Sequence, residues 1–370
     1  MTAALIPAQA DPATPTTAAP QVNGVRGGVD THKDFHHAAA IDHLGRHLAQ
    51  QWFPATRAGY AALLTWLRGF GMLLGVGVEG TGSYGAGLAR YLAEQGVEVV
   101  EVNRPDRALR RRQGKSDVID AYAAAEATAS GRAAATPKDH TAAVEAIRVL
   151  RETRDGAIKA RTAAINTLKS LITTGPEPLR DALRGLRHAQ LLAACAALPE
   201  QDHPGDVATQ ATITALASHT TRIQTLNTEI AALDKQLTTL VRDTAPTTTA
   251  IFGAGTDTAG QLLITAGHNI DRLTSESALA ALCGASPIPA SSGKTTRHRL
   301  NRAGDRQANK ALYRIIIVRL RHHQPTRDYL NKRLSEGKTK KEAIRCLKRH
   351  LVREIYRALR TDLASTLDTQ

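Results

Sequence analysis

The sequence predicts three parts: an α/β N-terminal domain, a helical coiled-coil arm and a mostly α-helical C-terminal domain. Three observations predict this. Short apolar runs separated by turn residues crowd residues 25–102. Two long stretches of helical apolar period occupy 140–174 and 206–242. Beyond Thr247 the pattern stays helical apart from a loop at Ser286–Arg299, and Lys and Arg dominate it. The expected bounds are a disordered tail at 1–24, the α/β domain at 25–135, the arm at 136–246, the helical domain at 247–362 and a tail at 363–370.

The tail is rich in Ala, Thr and Pro, with no Lys or Arg before Arg26, so it lacks the basic start and apolar core of a signal peptide. Arg26–Thr31, His37–Ile41 and Leu48–Phe53 read as strands, the last two joined by the turn Asp42-His43-Leu44-Gly45. Residues 57–69 read as an amphipathic helix and Met72–Val78 as a buried strand. Tyr84–Gln95 reads as a helix ended by Gly96, and Val97–Val102 as another strand. A three-stranded meander followed by αβαβα suits a ribonuclease-H-like sheet better than a plain doubly wound one, which rarely begins with two hairpins. Residues 104–133 read as helical, with Arg107, Arg110, Arg111 and Arg112 at their start. The arm's first helix carries Val144, Ile147, Leu150, Ile158, Ile165 and Leu168 on one period and breaks at Gly175-Pro176. The second repeats the pattern from Ile213 to Leu240.

Formal net charge is +14, unevenly spread: Lys294 to Arg360 holds 21 Lys and Arg against 5 Asp and Glu. So one-sided a block is the footprint of a polyanion partner. Three cysteines, Cys195, Cys283 and Cys346, stand far apart, which argues against a disulfide framework or structural zinc and fits a reducing cytosol. No apolar run is long enough to span a bilayer, so no membrane partner is expected.

Four acids have the spacing of a metal-ion phosphotransfer site. Asp30 and Glu79 end apolar strand-like runs, and Asp117 and Asp120 lie three apart on a helix, hence on one face. Carboxylates so gathered repel unless a cation neutralises them, and magnesium or manganese, with hard oxygen ligands and retained waters, suits a phosphodiester substrate. Two such ions orient an attacking oxygen and stabilise a leaving one. Taken singly, each acid reads better as a surface charge or helix cap; the four local contexts together favour the site.

Other motifs are weaker. Gly80-Thr-Gly82-Ser-Tyr-Gly85 matches a dinucleotide fingerprint, but Glu79 immediately before it would oppose a pyrophosphate, and the unit is not the first βα turn. His32, His36, His37, His43 and His47 fall on different strands with no tetrahedral spacing, and most read as exposed positions. Ile251–Gly260 resembles a helix-hairpin-helix, whose turn meets a phosphate through backbone N–H groups. Lys115, Lys294, Arg297, Arg299, Arg302, Arg306 and Lys310 read as cations for a nucleic-acid backbone; aromatics are scarce, so base stacking is a minor theme. The loop Pro287–Lys294 carries Ser291 and Ser292 beside Gly293, and by residue chemistry alone it is a turn with a helix cap.

The chain resembles the DEDD transposases of the insertion-sequence one-ten family, RNA-guided serine recombinases. The resemblance rests on Gly28-Val-Asp30-Thr-His-Lys33, Val78-Glu79-Gly-Thr-Gly-Ser83-Tyr84 and Gly114-Lys-Ser-Asp117-Val-Ile-Asp120-Ala. It extends through Gly284-Ala-Ser-Pro287 and Ser292-Gly293-Lys294 to Arg299-Leu-Asn-Arg-Ala-Gly304-Asp305-Arg306. It implies a RuvC-like domain with metal-binding catalytic acids at Asp30, Glu79, Asp117 and Asp120, and a nucleophilic serine at Ser292, with Ser291 the alternate. It also implies double-stranded donor and target DNA, a non-coding bridge RNA as guide, and a homodimer assembling to a homotetramer in which one subunit's acids meet another's serine. The implied place is the bacterial cytoplasm, at the nucleoid. The Ala/Thr/Pro tail departs from compact family members but leaves the motifs intact. Two competing readings are a RuvC-like structure-specific endonuclease with water as nucleophile and a non-catalytic nucleic-acid-binding protein.

Overall fold

The computed structural model describes residues 24–102, 116–139, 142–200, 206–291 and 297–367. It forms two compact units, one ending at Pro137 and the other beginning at Lys138.

The first unit is built on a mixed sheet of β1 (Gly24–Thr31), β2 (Phe35–Ile41), β3 (His47–Pro54), β4 (Met72–Glu79) and β5 (Val99–Val102) in the order β3-β2-β1-β4-β5. β1, β2 and β3 form an antiparallel meander, whereas β4 pairs parallel to β1 and β5 parallel to β4. The connections are α1 (Arg57–Arg68) and α2 (Ala86–Glu94), and α3 (Asp117–Ala129) follows β5. Each expected strand is present with ends moved by one or two residues, and the second helix starts two residues later than its apolar pattern suggests. Of the expected helix at 104–133, residues 104–115 lie outside the described residues and Asp117–Ala129 is helical.

Side-chain alternation sorts the sheet's faces. Val25 and Val29 on β1 and Val76 and Val78 on β4 share a core with Leu63, Leu64 and Leu67 of α1 and Leu88 and Leu92 of α2. Each of these leucines contributes roughly 1.5–3 kcal/mol by leaving water. Thr56 caps α1, accepting from the Gly59 N–H at 3.2 Å. The opposite parity of β1 and β4 carries Gly28 and Gly77, paired in register. A Cβ on Gly28 would strike backbone atoms of Ala121 and Ala125, and one on Gly77 would strike Thr128 Oγ1 and the Ala124 carbonyl. Two glycines side by side thus let α3 lie directly on the strands.

The second unit is helical. α4 (Ala142–Thr174) and α7 (Val207–Thr244) run antiparallel, with α5 (Glu177–Leu183) and α6 (His188–Ala197) between them in sequence. Leu168, Leu179, Leu192, Leu216 and Ile223 belong to one cluster at the far end of the pair. At the near end Val144, Ile147, Leu237 and Val241 join the core of α9 (Thr256–Ala266), α10 (Glu276–Leu282), α11 (Arg306–His322) and α13 (Lys340–Leu367). Short α8 (Pro246–Ala250) precedes α9, and α12 (Gln324–Ser335) precedes α13. Asp362 holds the start of α8, accepting from the Thr247 and Thr248 N–H groups at 2.8 Å each. The loop expected at Ser286–Arg299 contains a two-residue hairpin, β6 (Ile288–Pro289) with β7 (His298–Arg299). Among the described residues no helix is long and apolar enough to cross a membrane.

Candidate active site

Asp30 is the last-but-one residue of β1 and shares the parity of Gly28, so it stands on the face that α3 covers. Glu79 ends β4 with the parity of Gly77, on the same face. The strand ends are tied where Thr31 Oγ1 donates to the Glu79 carbonyl at 2.9 Å. Gly80 then turns with φ 67°, a left-handed conformation suited to glycine, and its carbonyl accepts from the Ser83 and Gly85 N–H groups. Those two donors of the glycine-rich segment are spent inside the turn, which weighs further against the dinucleotide reading.

Asp117 and Asp120 occupy the first turn of α3, where the helix N-terminus favours negative charge, and Ser116 caps it by accepting from the Ile119 N–H at 3.3 Å. Asp117 is partly exposed, whereas Asp120 is buried. Ligand atoms of Asp30, His32 and Asp117 all lie within 4.8 Å of one another. His32 Nε2 is 3.3 Å from Asp30 Oδ2 and 3.4 Å from Asp117 Oδ1. Burial pushes the Asp30 carboxyl above its ordinary range; His32 pulls it back, and the charges of Asp120 and Asp117 push it further up. Crowded carboxylates beside an imidazole nitrogen suit a divalent cation.

The histidines depart from expectation. His36 and His37 are fully buried on β2, not exposed. The His36 ring stacks on Tyr60 of α1 and the His37 ring meets Trp52 of β3 edge-on, and these aromatic contacts cover them. His47 stacks on Tyr122 of α3 at 3.7 Å. His32 is the residue that motif reading passed over; its signal was its place two positions after Asp30, which continues the same face past the strand end. Scarce as aromatic residues are, exposed Phe35, Trp52 and Tyr84 line a depression of about 410 Å³ that His32 and Asp117 also line.

In the second unit Ser291 is exposed and its hydroxyl is engaged: Oγ accepts from the Arg297 N–H at 3.2 Å and donates to the Arg297 carbonyl at 3.4 Å. Ser292 and Lys294 lie outside the described residues, as does Lys115. Arg297, Arg299, Arg302, Arg306 and Lys310 are all exposed. Asp305 caps α11, accepting from Gln307 and Ala308, so Arg306 and Lys310 ride on its first turns.

These two regions coincide with two family matches. A model for DEDD transposases of the IS110 type matches residues 27–175, and one described as the transposase IS116/IS110/IS902 family matches residues 247–331. The chain belongs to the IS110 family of transposases. The first match of this transposase takes in Asp30, Glu79, Asp117 and Asp120, and the second takes in the serine loop and the start of the basic block. No curated protein matches the chain. The family makes this an enzyme that transposes DNA.

Proposed function

We propose that this transposase excises and inserts its element by serine attack on DNA phosphodiesters, with carboxylate-bound magnesium or manganese and a bridge RNA as guide. The convergence of Asp30, His32 and Asp117 ligand atoms within 4.8 Å carries the reading, because it supplies a cation seat in the matched N-terminal region. The sheet order β3-β2-β1-β4-β5, with three antiparallel strands followed by two parallel ones, supports a ribonuclease-H-like (RuvC-like) fold.

Asp30, His32 and Asp117 hold the ion, with Glu79 and Asp120 completing the acidic face. When bound, a divalent ion supplies Lewis-acid polarisation of the scissile phosphodiester. Ser292 is the nucleophile, since the hydroxyl of Ser291 closes the hairpin against Arg297. Its Oγ–phosphorus bond forms as a sugar oxygen–phosphorus bond breaks, and the sugar leaves as a hydroxyl carrying the proton. The phosphoserine link conserves the bond energy, so a strand-exchanged hydroxyl re-forms the diester without ATP. Arg297, Arg299, Arg302, Arg306, Lys310, Lys115 and Lys294 hold phosphates. The acids of one subunit act with the serine of another in a homotetramer built through the α4–α7 arm.

The experiment is strand cleavage of DNA carrying the element's junction, with the element's RNA. Cleavage that requires a divalent ion and disappears in both Asp30→Asn and Asp117→Asn is expected. Cleavage that persists in both variants sinks the acid-site assignment.

A further inference from the structure

A cavity of about 510 Å³ lies in the second unit between the β6–β7 hairpin, the end of α12 and α13. Its walls carry Arg299, Arg333, Lys338, Arg345, Lys348 and Arg349. The acids in the same wall are already engaged. Glu336 pairs with Arg333 at 2.7 Å. Glu342 accepts from the Thr339 N–H and hydroxyl at 2.9 and 2.7 Å, with Arg345 at 3.7 Å. Among the described residues, Arg299 and Lys348 have no carboxylate partner, and Lys338 feels Glu336 only at longer range.

Two features mark the cavity as built for an anion. Lys348 is only 8% exposed, and its ammonium meets no carboxylate; it donates to Asn309 Oδ1 at 2.7 Å and sits 5.2 Å from the centre of the Tyr313 ring. Asn309 is itself fixed, its amide donating to the carbonyls of Cys283 and Gly284 at 2.9 and 3.1 Å. Arg349 uses Nη2 on Glu276 and Ser277, while its buried Nη1 has no hydrogen-bond partner. A buried ammonium and a buried, unsatisfied guanidinium N–H are both costly unless something anionic meets them. Burial, and then the neighbouring Arg345, lowers the Lys348 pKa, consistent with a cation lacking its counter-charge.

We infer that this cavity seats a phosphodiester of a nucleic-acid strand, held by Lys348 and Arg349 inside and by Arg299 and Lys338 at the rim. The inference rests on the transposase reading for its choice of ligand and adds a site on α13, beyond the 247–331 match. The volume exceeds what inorganic phosphate needs and lies in the range of small-ligand pockets, enough for one nucleotide unit. The wall also includes Arg297–Asn301, the outgoing side of the serine hairpin, so a strand seated here continues toward that loop.

The test is equilibrium binding of fluorescent twelve-nucleotide DNA and RNA single strands to the full chain, in chelator, across a salt series. Chelator keeps the readout independent of the acid site and of cleavage. Lys348→Met is expected to weaken binding about tenfold, the loss of one charge-assisted hydrogen bond. Arg299→Gln/Lys338→Gln, two exposed positions that do not threaten folding, is expected to reduce the slope of log K against log salt by about 1.4, roughly 0.7 per phosphate contact. Arg68→Gln, exposed on α1, serves as the charge control and leaves the slope unchanged. Loss with DNA alone makes the occupant a DNA strand, and loss with RNA alone makes it the guide; either supports the site. Wild-type slope and affinity in all cavity variants, on both strands, overturn it while leaving the transposase reading standing. A wild-type chain that binds neither strand likewise overturns the site.

Discussion

His32 Nε2 lies 3.3 Å from Asp30 Oδ2, two residues along the same chain and on the same face of the sheet. With Asp117 Oδ1 at 3.4 Å, the imidazole completes a mixed nitrogen–oxygen donor set. Magnesium prefers oxygen alone, whereas a nitrogen donor favours a transition ion. DNA cleavage is therefore expected to saturate at lower manganese than magnesium concentration. His32→Ala should erase most of that preference while Asp30→Asn abolishes cleavage with either ion. Equal half-saturating concentrations in the wild-type protein would remove His32 from the ligand set.

Asp30 also sets a stability expectation. Its folded-state carboxyl titrates above the ordinary value because of burial first, offset by His32 and reinforced by Asp120 and Asp117. A raised carboxyl pKa gives stability that is full below the unfolded value and is lost as pH rises through the folded one. Asp30→Asn, in chelator, should raise the melting temperature at neutral pH, and the gain should vanish in acid below the ordinary carboxylate value. A variant less stable than wild type at neutral pH would contradict this.

The seat of α3 depends on Gly28 and Gly77, whose missing side chains admit Ala121, Ala125 and Thr128. Gly28→Ala is expected to cost about 1–3 kcal/mol in denaturant unfolding, as overpacking does. It should also lose cleavage, because lifting α3 carries Asp117 and Asp120 away from Asp30. Gly96→Ala, where a Cβ would meet nothing within 4 Å, tests backbone strain alone at φ 70° and should keep cleavage.

In the second unit Asp257 gathers three arginines: Arg151 at 2.7 Å, Arg314 at 2.6 Å and Arg154 at 3.5 Å. Burial alone would raise its pKa; Arg151, Arg314 and Arg154 outweigh burial and hold it below the usual carboxylate range. Its stabilisation is present above the unfolded value and lost as pH falls through the depressed one. Because the side chain is 35% exposed, Asp257→Asn should cost only about 1–2 kcal/mol at neutral pH. The melting temperatures of wild type and variant should differ at neutral pH and converge in acid.

Strand and helix order was legible because apolar alternation and turn residues mark each element of the first unit. The acids were legible because each stands at an element end: Asp30 and Glu79 at strand ends, Asp117 and Asp120 in a first helical turn. His32 was missed because strand notation stops at Thr31, although its place two positions after Asp30 keeps it on the same face. His36 and His37 were misjudged because polarity was weighed over the aromatic cover that Tyr60 and Trp52 give their rings, which spacing does not display. The docking of α3 through Gly28 and Gly77 depends on strand register, which a sequence does not display. The cavity beside α13 assembles residues from Gly284 to His350, and the charge block announced cations without saying which would face inward.

The most direct measurement is a covalent-adduct assay with junction DNA, the element's RNA and a divalent ion, resolved under denaturing conditions and mapped by peptide mass. The account predicts a DNA-linked protein band whose nucleotide mass sits on Ser292, present in Ser291→Ala and absent in Ser292→Ala and Asp30→Asn. Cleaved DNA without any adduct, unchanged by Ser292→Ala, would contradict serine attack and leave water as the nucleophile.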